Sequence, residues 1–339
     1  MNKFFTTQED EDDRTYVSHS QFKQWRECPR KWQHKYRDGK RPPDESIHLV
    51  FGTALHEALQ DYLSTLYSST VKEANNLDLK TKFQSLLKEE YDNRKESFER
   101  NHPDREFPVT KKEMVEFGKD GNAIIEYFKR NRSEYFSKQE TTLVGIEEKV
   151  ERELRGGIYW IGYLDIVLQN RKTGKYKIID LKTSTDGWDK WKKREKKRTD
   201  QLVAYKKFYA EELGVDPDAI EIEYLIMKRK LNDDAPYKPA RFQRFSPSDG
   251  SRSRSRVEDK IEEFLDDCFT EEGEYRDKDF ETDPDRYKCA FCSYSKQHGE
   301  EGFQICDQGG KKFLDYGENM RPYVDDKYVG PQPEQNKAS

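Results

Sequence analysis

The sequence predicts an α/β protein, with a mixed central sheet flanked by helices and a helical block in front of it. Three observations predict this class. Apolar residues recur at helical spacing through long segments ahead of residue 140. Short β-rich apolar runs then follow one another up to residue 183, separated by turn-forming residues. Beyond residue 200, helical and strand patterns alternate, as they do in chains that cover both faces of a sheet.

The elements follow in order. Residues 1–15 are polar and acidic (Glu9 to Asp13) and read as a disordered tail. Residues 16–140 form the helical part. Ser18 or Ser20 suits the N-cap of a short helix, and Pro29 suits the first turn of the next. Helical spacing then runs from His56 to Tyr67, Leu79 to Arg100 and Lys111 to Phe136, with breaks at Asn75-Asn76 and His102-Pro103. Residues 141–270 carry the sheet. Strands are expected near 143–154, 158–168 and 175–183, joined by the Gly156-Gly157 turn and a turn over Asn170 to Lys175. A helix from Asp200 to Leu213, a strand from Ile220 to Lys228, a short strand near Arg241 to Phe245 and a helix from Val257 to Phe269 complete this region. Residues 271–320 form a cysteine-containing tract and 321–339 a flexible tail. The absence of a phosphate-cradling glycine loop speaks against nucleoside triphosphate hydrolysis.

The chemistry concentrates in GYLDIV and IIDLKT, two apolar runs that each contain charged residues. Charge inside such a run is expensive to bury unless it is paired or bound to a metal. Asp180 and Lys182 are two apart, so on a strand they share one face. If the two runs pair as a hairpin, Asp165 reaches that face as well. Two carboxylates and an ammonium at the end of a sheet suit a divalent cation and the water it acidifies, although a D-x-K pair alone is often only a solvated edge. His56 lies at the rim of an apolar helical stripe, where a histidine is more often a packing or surface residue. Gln201 and Tyr205 are four apart and share a helix face. The acids of Gly145-Ile146-Glu147-Glu148 either line the same cleft or are solvated.

Taken in order, GTALH, GYLDIV, IIDLKT and QLVAY, preceded by Ser18-His19-Ser20-Gln21-Phe22 and Cys28-Pro29-Arg30-Lys31, resemble the RecB-type branch of the PD-(D/E)xK nuclease superfamily. Each motif is weak alone; their occurrence together in this order is specific. The resemblance implies a restriction-endonuclease-like core. It implies that His56, Asp165, Asp180 and the Leu181 carbonyl ligate Mg²⁺ or Mn²⁺, with Lys182 as the catalytic lysine and Gln201 and Tyr205 in support. The second acid is Asp180 where many superfamily members carry Glu. The expected function is a metal-dependent DNA nuclease, an exonuclease on single-stranded or end DNA in recombination, repair or replication. A helicase or recombination protein would be its partner. A non-catalytic DNA-binding recombination subunit and an RNA-processing nuclease are the alternatives.

Cysteine usage adds a second expectation. The chain has five cysteines, and Cys289-Ala-Phe-Cys292 is a C-x-x-C in a polar tract. The acidic N-terminus shows no secretory pattern, which suggests a cytoplasmic protein (host cytoplasm if phage-encoded) and favours metal ligation over disulfides. Some relatives bind a [4Fe–4S] cluster through one early and three late cysteines, an order that Cys28, Cys289, Cys292 and Cys306 match. The gap before Cys306 is longer than usual and contains His298, so a Zn²⁺ site and plain thiols stay open. Cys268 reads as a small packed residue.

The formal net charge of −5 does not advertise nucleic-acid binding, and 38% charged residues leave no room for a membrane span. Charge distribution matters more than the sum. The basic run Lys190 to Arg198 lies between the D-x-K strand and the QLVAY helix. Its Lys192, Lys193, Arg194, Lys196 and Lys197 are candidate phosphate contacts, against the alternative of a solvated helix face. Trp188 and Trp191 either stack on unpaired bases or pack the helix down. Further basic density lies at Lys228-Arg229-Lys230 and at Arg252, Arg254 and Arg256.

Overall fold

A computed structural model describes residues 14–42, 45–232, 239–283, 288–289, 291–295 and 305–306. The described chain divides after Glu281 into two compact units. In the first, six strands form one mixed sheet: β1 (Thr15–Ser18), β2 (Thr141–Arg155), β3 (Ile158–Asn170), β4 (Tyr176–Ser184), β5 (Ile220–Lys228) and β6 (Phe242–Phe245). Strand β2 pairs antiparallel along nearly the whole of β3. Both residues of the connecting turn, Gly156 and Gly157, have positive φ (54° and 75°), the conformation a two-residue hairpin turn demands. Strands β4 and β5 are parallel, and β6 closes the sheet antiparallel to β5.

The other edge of β3 is divided between two partners. Strand β1 runs parallel to its first residues, Thr15 opposite Ile158 through Ser18 opposite Ile161. Strand β4 runs antiparallel to its last ones, from Ile166 opposite Ile179 to Gln169 opposite Tyr176. Residues 162–165 of β3 have no ladder partner on that edge, and the sheet opens there.

Helices cover both faces because β4 is apolar on both. Ile179 and Leu181 join Ile166, Leu168, Leu225 and Met227 against α3 (Ile47–Ser68), α5 (Leu79–Asn101) and α6 (Lys111–Tyr135). Ile178 joins Val150, Trp160, Leu164 and Tyr224 against α1 (His19–Glu27), α8 (Lys196–Leu213) and α9 (Ser251–Cys268). A strand buried on both sides reads as a continuous hydrophobic run, and the charges of Asp180 and Lys182 stand out against it. The short α2 (Pro29–Trp32), α4 (Val71–Asn76) and α7 (Lys190–Arg194) lie between the larger elements.

The structure departs from expectation at several ends. Thr15, assigned to the tail, begins β1 and donates its N–H to the Gly157 carbonyl at 3.0 Å. Residues 1–13 and 307–339 lie outside the described residues. Helix α4 replaces part of the expected break and ends at Asn76, after which Asp78 caps α5. Helices α8 and α9 start at Lys196 and Ser251, before the first apolar residue of their patterns, because Lys, Arg and Ser carry no hydrophobic periodicity to read.

Candidate active site

The register that pairs Ile166 with Ile179 makes Asp165 and Asp180 the next opposed residues, where β3 and β4 stop pairing. The Leu181 N–H, released from the ladder, donates to Asp165 Oδ2 at 2.6 Å. In an extended strand the N–H and C=O of one residue point to the same side, so the Leu181 carbonyl also faces the opening. Lys182 Nζ lies 2.7 Å from Asp180 Oδ2. That ion pair makes the ammonium the partner of the buried oxygen. From the opposite layer, α3 brings in His56, whose Nδ1 lies 3.9 Å from Asp165 Oδ2. The buried Nε2 of His56 has no hydrogen-bond partner.

Burial and mutual repulsion decide the charge states. Burial raises both carboxyls, and against the opposing pull of Lys182 they stand at about 6. Glu147 adds to the rise of Asp165, and Asp165 to that of Asp180. The Lys182 ammonium is depressed by burial, but Asp180 and Asp165 outweigh this and hold it above the ordinary lysine value. His56 is pushed down to about 4 by burial and then by Lys182, so it is neutral and able to ligate. Among the described residues, no three His, Cys, Asp or Glu side chains are close enough to hold an ion as they stand. The donor set still fits a hard divalent cation. It offers two carboxylates reluctant to ionise together and a neutral imidazole whose buried Nε2 nothing satisfies.

Helix α8 supplies Gln201 and Tyr205 from the face carrying Asp180 and Lys182. Gln201 Nε2 lies 3.5 Å from Tyr205 Oη. The Tyr205 ring rests on Gly162, where an added Cβ would come within 2.4 Å of the ring. That close approach requires glycine beside the opening.

The sequence reading does not pick out Gln60, and it leaves Glu147 between lining the cleft and being solvated. Gln60, one turn beyond His56 on α3, donates to Glu147 Oε1 at 2.6 Å and to the Asp165 carbonyl at 3.4 Å. Glu147 adopts φ 51°, an uncommon left-handed conformation for a side-chain-bearing residue. The two residues flanking it pair with Ile166 and Leu164, the neighbours of Asp165. The i+4 spacing from His56 would have pointed to Gln60; nothing in the pattern marks the bend at Glu147.

The basic run is split by Glu195 between α7 and the start of α8. Arg194 and Lys196 are exposed. Lys192 lies 4.0 Å from Asp186, Lys193 sits over the Phe245 ring, and Lys197 is half-buried. Trp188 is buried against Tyr224 with ring centroids 4.9 Å apart, whereas Trp191 is 66% exposed. Of the other basic groups, Arg252 is exposed and three arginines serve the fold. Arg229 covers Phe117 and pairs with Asp120, Arg254 pairs with Asp218, and Arg256 pairs with Asp200.

The expected cluster ligands are divided between the two units. Cys28 lies in the first, between α1 and α2. In the second, the Cys292 N–H donates to the Cys289 carbonyl at 3.2 Å and the Cys306 N–H to the Tyr294 carbonyl at 2.8 Å. Cys306 thus returns to the C-x-x-C turn, while His298 lies outside the described residues. Cys268 is fully buried in the core, where burial pushes its thiol far up.

The sequence profile of the PD-(D/E)XK nuclease superfamily matches residues 16–297 of this chain. No curated protein matches the sequence. Among the described residues no helix is long and apolar enough to cross a membrane.

Proposed function

Because the chain belongs to the PD-(D/E)XK nuclease superfamily, we propose that it is a metal-dependent DNA nuclease with its active site at the opening between β3 and β4. The observation that carries this reading is the opposition of Asp165 and Asp180 across that opening, with Lys182 against the second acid. His56, Asp165, Asp180 and the Leu181 carbonyl would hold Mg²⁺ or Mn²⁺. When bound, the ion lowers the pKa of a coordinated water and neutralises the attacked phosphate. Lys182 remains protonated between the carboxylates, and about a third of its side chain is exposed. It orients the attacking water and offsets charge on the pentacovalent transition state. Tyr205 keeps its proton, since burial raises its phenol to about 12, and with Gln201 it walls the lysine side.

The proposed mode is exonucleolytic, on single-stranded or end DNA, and rests on the likeness of motif order to RecB-type enzymes. A role in recombination, repair or replication beside a helicase belongs to the same reading, as does a cytoplasmic site of action. The test compares cleavage of single-stranded DNA, linear and circular duplex DNA, and RNA with Mg²⁺ or Mn²⁺ and with EDTA. Divalent-dependent loss of linear DNA with circles spared is expected. Cleavage of RNA alone would favour the RNA-processing alternative, and binding without cleavage the non-catalytic one.

A thiolate metal site in the second unit is proposed alongside, on the return of Cys306 to the Cys289–Cys292 turn. Iron with acid-labile sulfide in anaerobically purified protein would identify a [4Fe–4S] cluster, and colourless protein with zinc the alternative. Protein with neither would leave plain thiols.

A further inference from the structure

The opening in the sheet has a second wall that the catalytic groups do not use. Strand β1 ends at Ser18, opposite Ile161, and the chain turns at once into α1. His19 is therefore the first helical residue beside Gly162, where the Tyr205 ring rests. The imidazole is 93% buried by its 7% exposure, yet its Nε2 has no hydrogen-bond partner. A buried donor left unmade is costly and asks for a ligand atom.

The charges around it point to the kind of ligand. Lys23 lies one turn further along α1, on the face of His19. Burial depresses the Lys23 ammonium, and although Glu27 supports it, Arg198 and Lys182 depress it further. His19 is pushed down to about 3 by burial, then by Lys23 and Lys182, with Arg26 adding to this and Asp200 opposing it. The carboxylates nearby are committed: Asp200 to Arg26 and Arg256, Glu195 to Arg198. Glu27 is shared between Lys23 and Lys31. Ser18 Oγ already caps α1 by accepting from the Gln21 N–H, so it is the cations gathered round the unsatisfied imidazole that an incoming oxyanion stabilises.

We propose that His19 and Lys23 form a phosphate-binding subsite on the β1–α1 side of the opening, which holds a backbone phosphate adjoining the one attacked. The proposal rests on the nuclease reading for its substrate but not for its chemistry. The His19 N–H donates to a phosphate oxygen, and Lys23 supplies the second contact. The strand is thereby fixed between α1 and Lys182.

The test uses the full chain and two probes. The first is inorganic phosphate, read by thermal unfolding. Wild type is stabilised, and His19→Leu and Lys23→Gln each weaken apparent phosphate affinity about tenfold, as the loss of a charge-assisted hydrogen bond does. His19→Leu removes the unsatisfied nitrogen, so its phosphate-free melting temperature stays level or rises; were it unfolded, Lys23→Gln alone would decide. The second probe is a labelled single-stranded oligonucleotide in EDTA, with a 5′-phosphate or a 5′-hydroxyl. Equal weakening on both places an internal phosphate in the subsite, and weakening confined to the phosphorylated strand places the chain end there. Unchanged phosphate and oligonucleotide binding in both variants would overturn the subsite while leaving wild-type cleavage intact. Phosphate stabilisation lost in the variants, in a wild type that neither binds nor cleaves nucleic acid, would keep the anion site and overturn the nuclease reading.

Discussion

Two carboxylates facing each other across the opening between β3 and β4 repel, and burial makes their charged forms costlier still. The fold tolerates this only because Lys182 lies beside Asp180 and the Leu181 N–H binds Asp165. Asp165→Ala, Asp180→Ala and Lys182→Ala should each lower the cleavage rate by at least about two orders of magnitude with the fold retained. Near-normal rates in two of the three, with circular dichroism unchanged, would remove the site assignment. The pH dependence has a defined sign. The Asp165 carboxyl stands at about 6 in the folded chain against 3.8 ordinarily, so folding favours its protonated form. That contribution is fully present below about pH 4 and lost as the pH rises through about 6. In EDTA, Asp165→Asn should therefore melt higher than wild type at pH 8 and show no such gain at pH 4. A variant that melts lower at pH 8 would contradict the direction of the shift.

Helix α8 is the element that aims Gln201 and Tyr205, and it is anchored near its start. Asp200 accepts from Arg26 of α1 at 2.7 Å and from both terminal nitrogens of Arg256 of α9, at 2.8 and 2.6 Å. Burial would raise this carboxyl, but the two guanidinium groups outweigh it and hold it below the usual aspartate value. Asp200→Ala leaves two partly buried cations unpaired and should cost roughly 3 kcal/mol in chemical denaturation. A loss under about 0.5 kcal/mol would place the ion pairs among ordinary surface contacts. The basic run leads from α7 into the same element, and its Arg194 and Lys196 are exposed. Charge reversal at each should reduce the magnitude of the log–log salt slope of DNA binding by about one. An unchanged slope would make the run a solvated face.

At the scale of the whole molecule, a divalent ion that binds the folded chain and not the unfolded one must raise its stability. Mn²⁺ should raise the melting temperature of wild type, EDTA should reverse the rise, and Asp180→Ala should abolish it. A rise preserved in that variant would place the ion elsewhere. The formal net charge of −5 does not by itself decide DNA binding, because many charges cancel in internal pairs, as Arg229 with Asp120, Arg254 with Asp218 and Arg256 with Asp200. The basic groups left near the opening decide the contact.

What the sequence determined by itself was the set of long elements and the chemistry they carry. The apolar runs of β3 and β4 and the stripes of α3, α5 and α6 are local patterns, legible because burial demands them. The acids and lysine stood out because a charge in a doubly buried strand is anomalous. The tertiary structure alone decided the opening, since the division of one edge of β3 between β1 and β4 depends on strands more than a hundred residues apart. It also decided that Trp188 packs while Trp191 is exposed, and that Arg256 anchors a helix instead of facing a ligand. Gln60 entered the site the same way, and long-range pairing decided between the cleft and solvent for Glu147, for a polar residue acquires a role only from what such pairing sets against it. Periodicity records burial, which is a local property of the chain; the partner of a polar atom is not.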